Sequence, residues 1–170
     1  MARGSGTLFF GGLNSVGRRK IRRPLSYRLP IQICLKSEKA RGEFNLGRAK
    51  HRFQVKAILK RQARRHGVHL RSVLNLGNQI QMVIRIEDRA GFQSFLRSST
   101  ALIARKVTGA KKGKSFGRFW QALASSRVLA SGRQALGIIR FLALLQVKMR
   151  RTKSMSERNA LSVELWDSSG

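Results

Sequence analysis

Acidic side chains are scarce in this chain: seven Asp and Glu stand against 36 Lys and Arg in 170 residues, a formal net charge of +29. From Phe44 to Ile86, and again from Arg89 to Ser156, there is no acid at all; only Glu87 and Asp88 separate the two stretches. Most cations therefore lack an internal partner and must face water or a polyanion, and nucleic acid is the polyanion expected. Cysteine is limited to Cys34. That excludes an internal disulfide and any multi-cysteine zinc site, and it fits cytoplasmic residence. No apolar run reaches the roughly 18 residues a transmembrane helix needs, so no membrane partner is expected. The segment Leu8 to Leu13 is too short, and too broken by Gly11 and Gly12, to serve as the apolar region of a signal peptide. Tyrosine occurs once, as Tyr27. Beside a basic arm, it reads as a packing or interface residue.

With 42% hydrophobic residues, the chain can build one domain with a real core. Residues 1–24 carry six Lys and Arg and five scattered glycines but no acid, the composition of a flexible arm whose Arg18, Arg19, Lys20, Arg22 and Arg23 would order on phosphates. Residues 25–150 form the domain. Residues 151–170 are a tail in which Leu161, Val163 and Leu165 alternate like a short strand.

Within the domain, Leu29 to Leu35 reads as a first strand and Arg48 to Arg65 as a helix with Phe53, Val55, Ile58, Leu59 and Ala63 available to a core. Its outer face is a basic ridge that includes Arg48, Lys56, Lys60 and Arg64, with His51 as a polar helix-face residue. Gly67 stops this helix. Val68 to Leu74 and Gln79 to Ile86 then form an antiparallel pair through the turn Asn75-Leu76-Gly77-Asn78. A second helix from Asp88, its N-cap, to Val107 places Phe92, Phe95, Leu96, Leu102 and Ile103 on one face. Arg127 to Leu129 is strand-like, and Gly132 to Lys148 is a helix with an apolar stripe of Ala135, Ile138, Ile139, Leu142, Leu145 and Met149. The order β-α-β-β-α-β with one helix appended predicts an α+β fold, a ferredoxin-like antiparallel sheet with packed helices.

Between the second helix and the last strand, Gly109 to Arg118 is rich in glycine and lysine. It lacks the spacing of a nucleotide-binding Gly-x-x-x-x-Gly-Lys-Ser/Thr loop, having three residues between its glycines where four are required. A flexible loop is expected there, with Lys111, Lys112, Lys114 and Arg118 touching phosphates and Trp120 beside them as a candidate to stack on a base. His66 and His69 have no thiol or carboxylate pattern around them that would make a metal site.

The strand Gln79 to Ile86 alternates Ile80, Met82, Ile84 and Ile86 with Gln79, Gln81, Val83 and Arg85. In this pattern, in the phrases from Phe95 to Gly109, Arg118 to Gln121 and Ser126 to Val128, and in the final helix, the chain resembles the HUH single-tyrosine transposases, including their REP-associated branch. The resemblance spans about Pro24 to Lys148. It implies a transposase-like fold of the ferredoxin type, binding of hairpin or single-stranded DNA, and a homodimer.

The same resemblance places Gln79 and Gln81 where the family has two metal-binding histidines. Phe141 falls at the position of the nucleophilic tyrosine, and Leu145 at that of the polar residue one turn later. Amides are poor ligands for transition metals, and a phenyl ring has no oxygen with which to attack a phosphodiester. The resemblance thus implies a transposase-like DNA-binding protein without nicking activity, with no metal site and no cofactor, although active family members use a divalent metal. The alternatives are an RNA- or ribosome-associated basic protein and an active transposase with unusual catalytic residues.

Overall fold

A computed structural model of the chain describes residues 9–11, 22–114 and 116–148. Strands β1 (Phe9–Phe10), β2 (Ile31–Lys36), β3 (Val68–Asn75), β4 (Gln79–Ile86) and β5 (Ser125–Val128) form one antiparallel sheet in the order β1-β5-β2-β4-β3. Helices α1 (Ala49–Arg65) and α2 (Arg89–Thr108) and a third helix, α3 (residues 132–148), complete the domain. Leaving β1 aside, the first and third strands of the β-α-β-β-α-β unit are central and the second and fourth are outer. That is the ferredoxin-like arrangement expected from the sequence.

Alternation along β4 sets the layers. Ile80, Met82, Ile84 and Ile86 are buried on one face, with Ile31, Ile33 and Leu35 of β2, and α1 and α2 cover them through Val55, Leu59, Phe92, Phe95 and Ile103. The other face carries Gln79, Gln81 and Val83, and α3 covers part of it: Val83 and Leu74 pack with Leu129, Ala135 and Leu142. Val83 is fully buried, since it sits directly beneath that helix.

The predicted caps and turns form as their chemistry requires. Asp88 accepts a hydrogen bond from the Gly91 amide at 2.7 Å and so satisfies a free N–H at the start of α2. Gly109 ends that helix in the left-handed conformation. Between β3 and β4, the Leu76 amide bonds the Gln79 carbonyl at 2.9 Å and Gly77 takes φ +89°, the positive angle that this two-residue hairpin needs at its first central position.

Three differences from the sequence reading have physical causes. The first strand is displaced to Ile31–Lys36 and the last to Ser125–Val128, both set by pairing to each other across Ile31↔Val128 and Cys34↔Ser125. On α1, Phe53 is 68% exposed while His51 is 2% exposed. The buried residues His51, Val55, Ile58, Leu59, Gln62 and Ala63 keep a helical repeat, and Phe53 lies roughly half a turn away from it. His51 can be buried because its Nε2 lies 2.9 Å from the Glu43 carbonyl oxygen. Finally, the segment read as a free arm is tied to the sheet by Phe9–Phe10, which pairs with β5.

The start of α2 fits closely against the end of α1. A methyl group on Gly91 would collide with the His66 carbonyl oxygen and come within 2.8 Å of an Asp88 carboxylate oxygen. Replacing Gly91 with alanine should therefore cost about 1–3 kcal/mol, as overpacking at a rigid contact does. Urea unfolding should report a lower midpoint at unchanged slope.

Candidate nucleic-acid interface

The cations divide into three groups by their surroundings. On α1, Lys56, Lys60 and Arg64 are exposed on the helix face turned away from the sheet, and Arg48 is exposed at its N-cap. Arg48 also donates to the Gly42 carbonyl at 3.3 Å. None of these has a carboxylate partner among the described residues, where the one ion pair is His69–Glu87 at 2.8 Å. This matches the basic ridge expected from the sequence.

The second group surrounds a cleft of about 1230 Å³ between α1 and α2. Its cationic lining is Arg61 from α1, Arg105 and Lys106 from the last turn of α2, and Lys111 and Lys112 beyond it. Arg61, Arg105 and Lys106 were not singled out in the sequence. Two of them stand in the last turn of α2, where cations favour the helix dipole and are usually read as capping charges. No acid lines this cleft.

The glycine-lysine segment is not the loose loop expected. Lys111 and Lys114 exchange backbone hydrogen bonds of 3.2 and 3.0 Å, and Gly113 sits at φ +83° between them. The result is a tight turn that carries three exposed ammonium groups, Lys111, Lys112 and Lys114. Downstream, Arg118 is exposed and Phe119 is buried. Trp120 is half-buried: its indole N–H donates to the Thr100 carbonyl at 2.9 Å and its ring meets Phe119 edge-on at 5.0 Å. Its polar handle is thus engaged within the fold.

Arg23 forms the third group alone, apart from the phosphate-seeking arm in which the sequence placed it. Its guanidinium donates to Ser126 Oγ at 2.6 Å and to the Ala124 carbonyl at 2.8 Å, and lies over the Phe10 and Phe92 rings at 4.6 and 5.8 Å. Burial, and then the neighbouring Arg89, lower its pKa well below the ordinary arginine value, to about 10. Arg22 is exposed. Arg18, Arg19 and Lys20 lie outside the described residues, as do Met149 and the C-terminal tail with Leu161, Val163 and Leu165.

The opposite face of the sheet holds the positions singled out as catalytic in origin. Gln79 and Gln81 lie side by side on β4, half-buried, and the Cys34 thiol of β2 approaches Gln79 Oε1 at 3.8 Å. Two neutral amides and a protonated thiol are a poor donor set for a divalent ion. Among the described residues, no three His, Cys, Asp or Glu side chains converge. Leu145 packs on the second core beside Leu142, whereas Phe141 is 58% exposed. His66 Nε2 is 3.4 Å from Ser98 Oγ, and His69 pairs with Glu87, a carboxylate neighbour that the sequence reading did not place there.

Burial raises the Cys34 thiol pKa, against weaker opposing effects of the Ser125 side chain and Lys36. A mostly protonated, half-buried thiol should react slowly. Labelling with an aromatic disulfide at pH 7.5, followed by absorbance, is expected to be at least ~10-fold slower in the folded protein than in urea.

No protein-family model matches this chain, and no curated protein does. Among solved structures, it is similar to that of a candidate transposase from Deinococcus radiodurans R1, with 14% sequence identity, a TM-score of 0.46, and coverage of 74% of this chain and 96% of that one. No helix among the described residues is long and apolar enough to cross a membrane. The fold assignment rests on the strand order and layering described above.

Proposed function

We propose that this chain is a transposase-derived DNA-binding protein that holds hairpin or single-stranded DNA and does not nick it. The observation that carries this reading is the acid-free cationic surface made by the outer face of α1, the α1–α2 cleft and the Lys111–Lys114 turn. Unpaired ammonium and guanidinium groups at such density are stabilised by phosphates, and releasing the counterions around DNA supplies much of the binding free energy. On the other face of the sheet, amides and a thiol stand where the family resemblance would call for imidazoles. A phosphodiester placed there would meet neither a strong metal-ligand set nor, at Phe141, a nucleophile.

The test combines binding and cleavage. Labelled hairpin DNA, single-stranded DNA and matched RNA are titrated at two salt concentrations, with and without Mg²⁺ or Mn²⁺. Hairpin DNA should bind most tightly and weaken steeply with salt, and no cleavage product or covalent adduct should appear. Metal-dependent nicking would overturn the inert reading, and a preference for RNA would make this an RNA-associated protein built on the same scaffold. The homodimer that accompanies this reading is checked by light scattering at the binding concentrations.

A further inference from the structure

A second cleft, of about 790 Å³, flanks α2 on the side away from α1, between that helix and residues 117–124. Its lining differs from that of the lysine-lined groove. Leu96, Trp120 and Leu123 make it apolar and aromatic above the buried Phe92, the exposed Arg97 and Arg118 stand on it as cations, and Arg89 and the engaged Arg23 complete its wall. No acid lines it. Its size is that of sites for small organic ligands, on the order of 300–1,000 Å³.

The two clefts share Ala101, Ala104, Gly117 and Phe119 as lining. Where they meet, three of the four shared side chains are a methyl or a hydrogen, and Ala101 is exposed. A chain of ligand atoms can therefore cross α2 there without displacing a large side chain. On one side it would meet guanidinium and ammonium groups, and on the other an aromatic chamber walled by four arginines. Alternation of anion and ring is the chemistry of a nucleic-acid strand.

We propose that the chamber beside Trp120 takes one unpaired nucleotide of a DNA strand whose backbone lies in the α1–α2 groove. This rests on the DNA-binding reading above and assigns it a second subsite. The polar groups nearest Trp120 are already engaged within the fold. The Trp120 indole N–H donates to the Thr100 carbonyl, and the Thr100 hydroxyl donates to the Leu96 carbonyl at 2.7 Å. Stacking on Trp120 with contact to Arg97 and Arg118 supplies the affinity.

Trp120 itself provides the readout, because Trp166 in the tail is the chain's other tryptophan. In the full chain carrying Trp166→Phe, emission from Trp120 is followed while three probes are titrated: a blunt DNA hairpin, the same hairpin with a short single-stranded extension, and that extension made abasic. The blunt hairpin should bind with unchanged emission. The extension should tighten binding by roughly 5- to 100-fold and quench Trp120, and the abasic version should lose both effects. Leu123→Ala, at an exposed position that lines the second cleft and not the α1–α2 groove, should reduce the gain from the extension while leaving blunt-hairpin affinity within about threefold. If hairpins bind but the extension changes neither affinity nor emission, the chamber is not a nucleotide subsite, although the DNA-binding reading stands. Quenching by a free deoxynucleoside monophosphate at comparable concentration would overturn the strand assignment in favour of a small-molecule site. If no DNA binds at all, both readings fall.

Discussion

Replacing Lys111, Lys112 and Lys114 together by glutamine is expected to weaken hairpin-DNA binding by ~10²-fold at physiological salt and to lower the salt slope of log affinity by about 2–3. The turn that carries them is fixed by its own backbone hydrogen bonds and by Gly113, so glutamine removes charge while leaving the loop geometry in place. All three side chains are exposed, and none has a carboxylate partner among the described residues. Their removal should therefore leave the thermal midpoint within a degree or two. Fluorescence anisotropy across a salt series measures both affinity and slope. A weakened complex with an unchanged slope would mean that the turn acts by shape rather than by phosphate contact.

Arg23→Ala should behave in the opposite way, lowering stability by about 2–3 kcal/mol while leaving the salt slope of DNA binding unchanged. The guanidinium satisfies Ser126 Oγ, on a side chain only 3% exposed, and the Ala124 carbonyl, and it bridges Phe10 of the edge strand to Phe92 of α2. Hydrogen bonds from a charged donor contribute about 1.5–3 kcal/mol, and the cation–π contacts add to them. Burying the charge costs part of this, as the lowered pKa of Arg23 records. A melting temperature lower by roughly 5–12 °C is expected. A loss of DNA affinity with unaltered melting would return Arg23 to the group of phosphate-binding cations.

These two experiments mark where the sequence was informative and where it was not. Strands and helices declared themselves through period: the alternation from Gln79 to Ile86, the cap Asp88 and the helix-stopping Gly67 are local signals, and each appears in the structure. Phe53 is apolar but falls outside the helical period of α1, and period decides burial there. The stripe through His51, Val55, Leu59 and Gln62 leaves no room for it. Arg23 could not be separated from its basic neighbours, because what distinguishes it is a pair of hydrogen bonds to residues more than a hundred positions away. The cleft residues Arg61, Arg105 and Lys106 were hidden for a similar reason, since they converge only when α1 and α2 pack together. Composition could indicate that the chain is cationic, but only tertiary packing sorts struts from contacts.

The sheet order also constrains how this chain reaches its folded state. Phe9 pairs with Arg127, and β2 lies between β4 and β5, so the edge strand nearest the start of the chain has no partner until residues near 127 are available. The β3–β4 hairpin, with its short turn, can form early, as can the packing of α1 and α2 against it. Docking of β5, and then of β1, must close long loops whose entropy is offset only at the end. During synthesis, β1 therefore waits without its partner strand while most of the domain assembles.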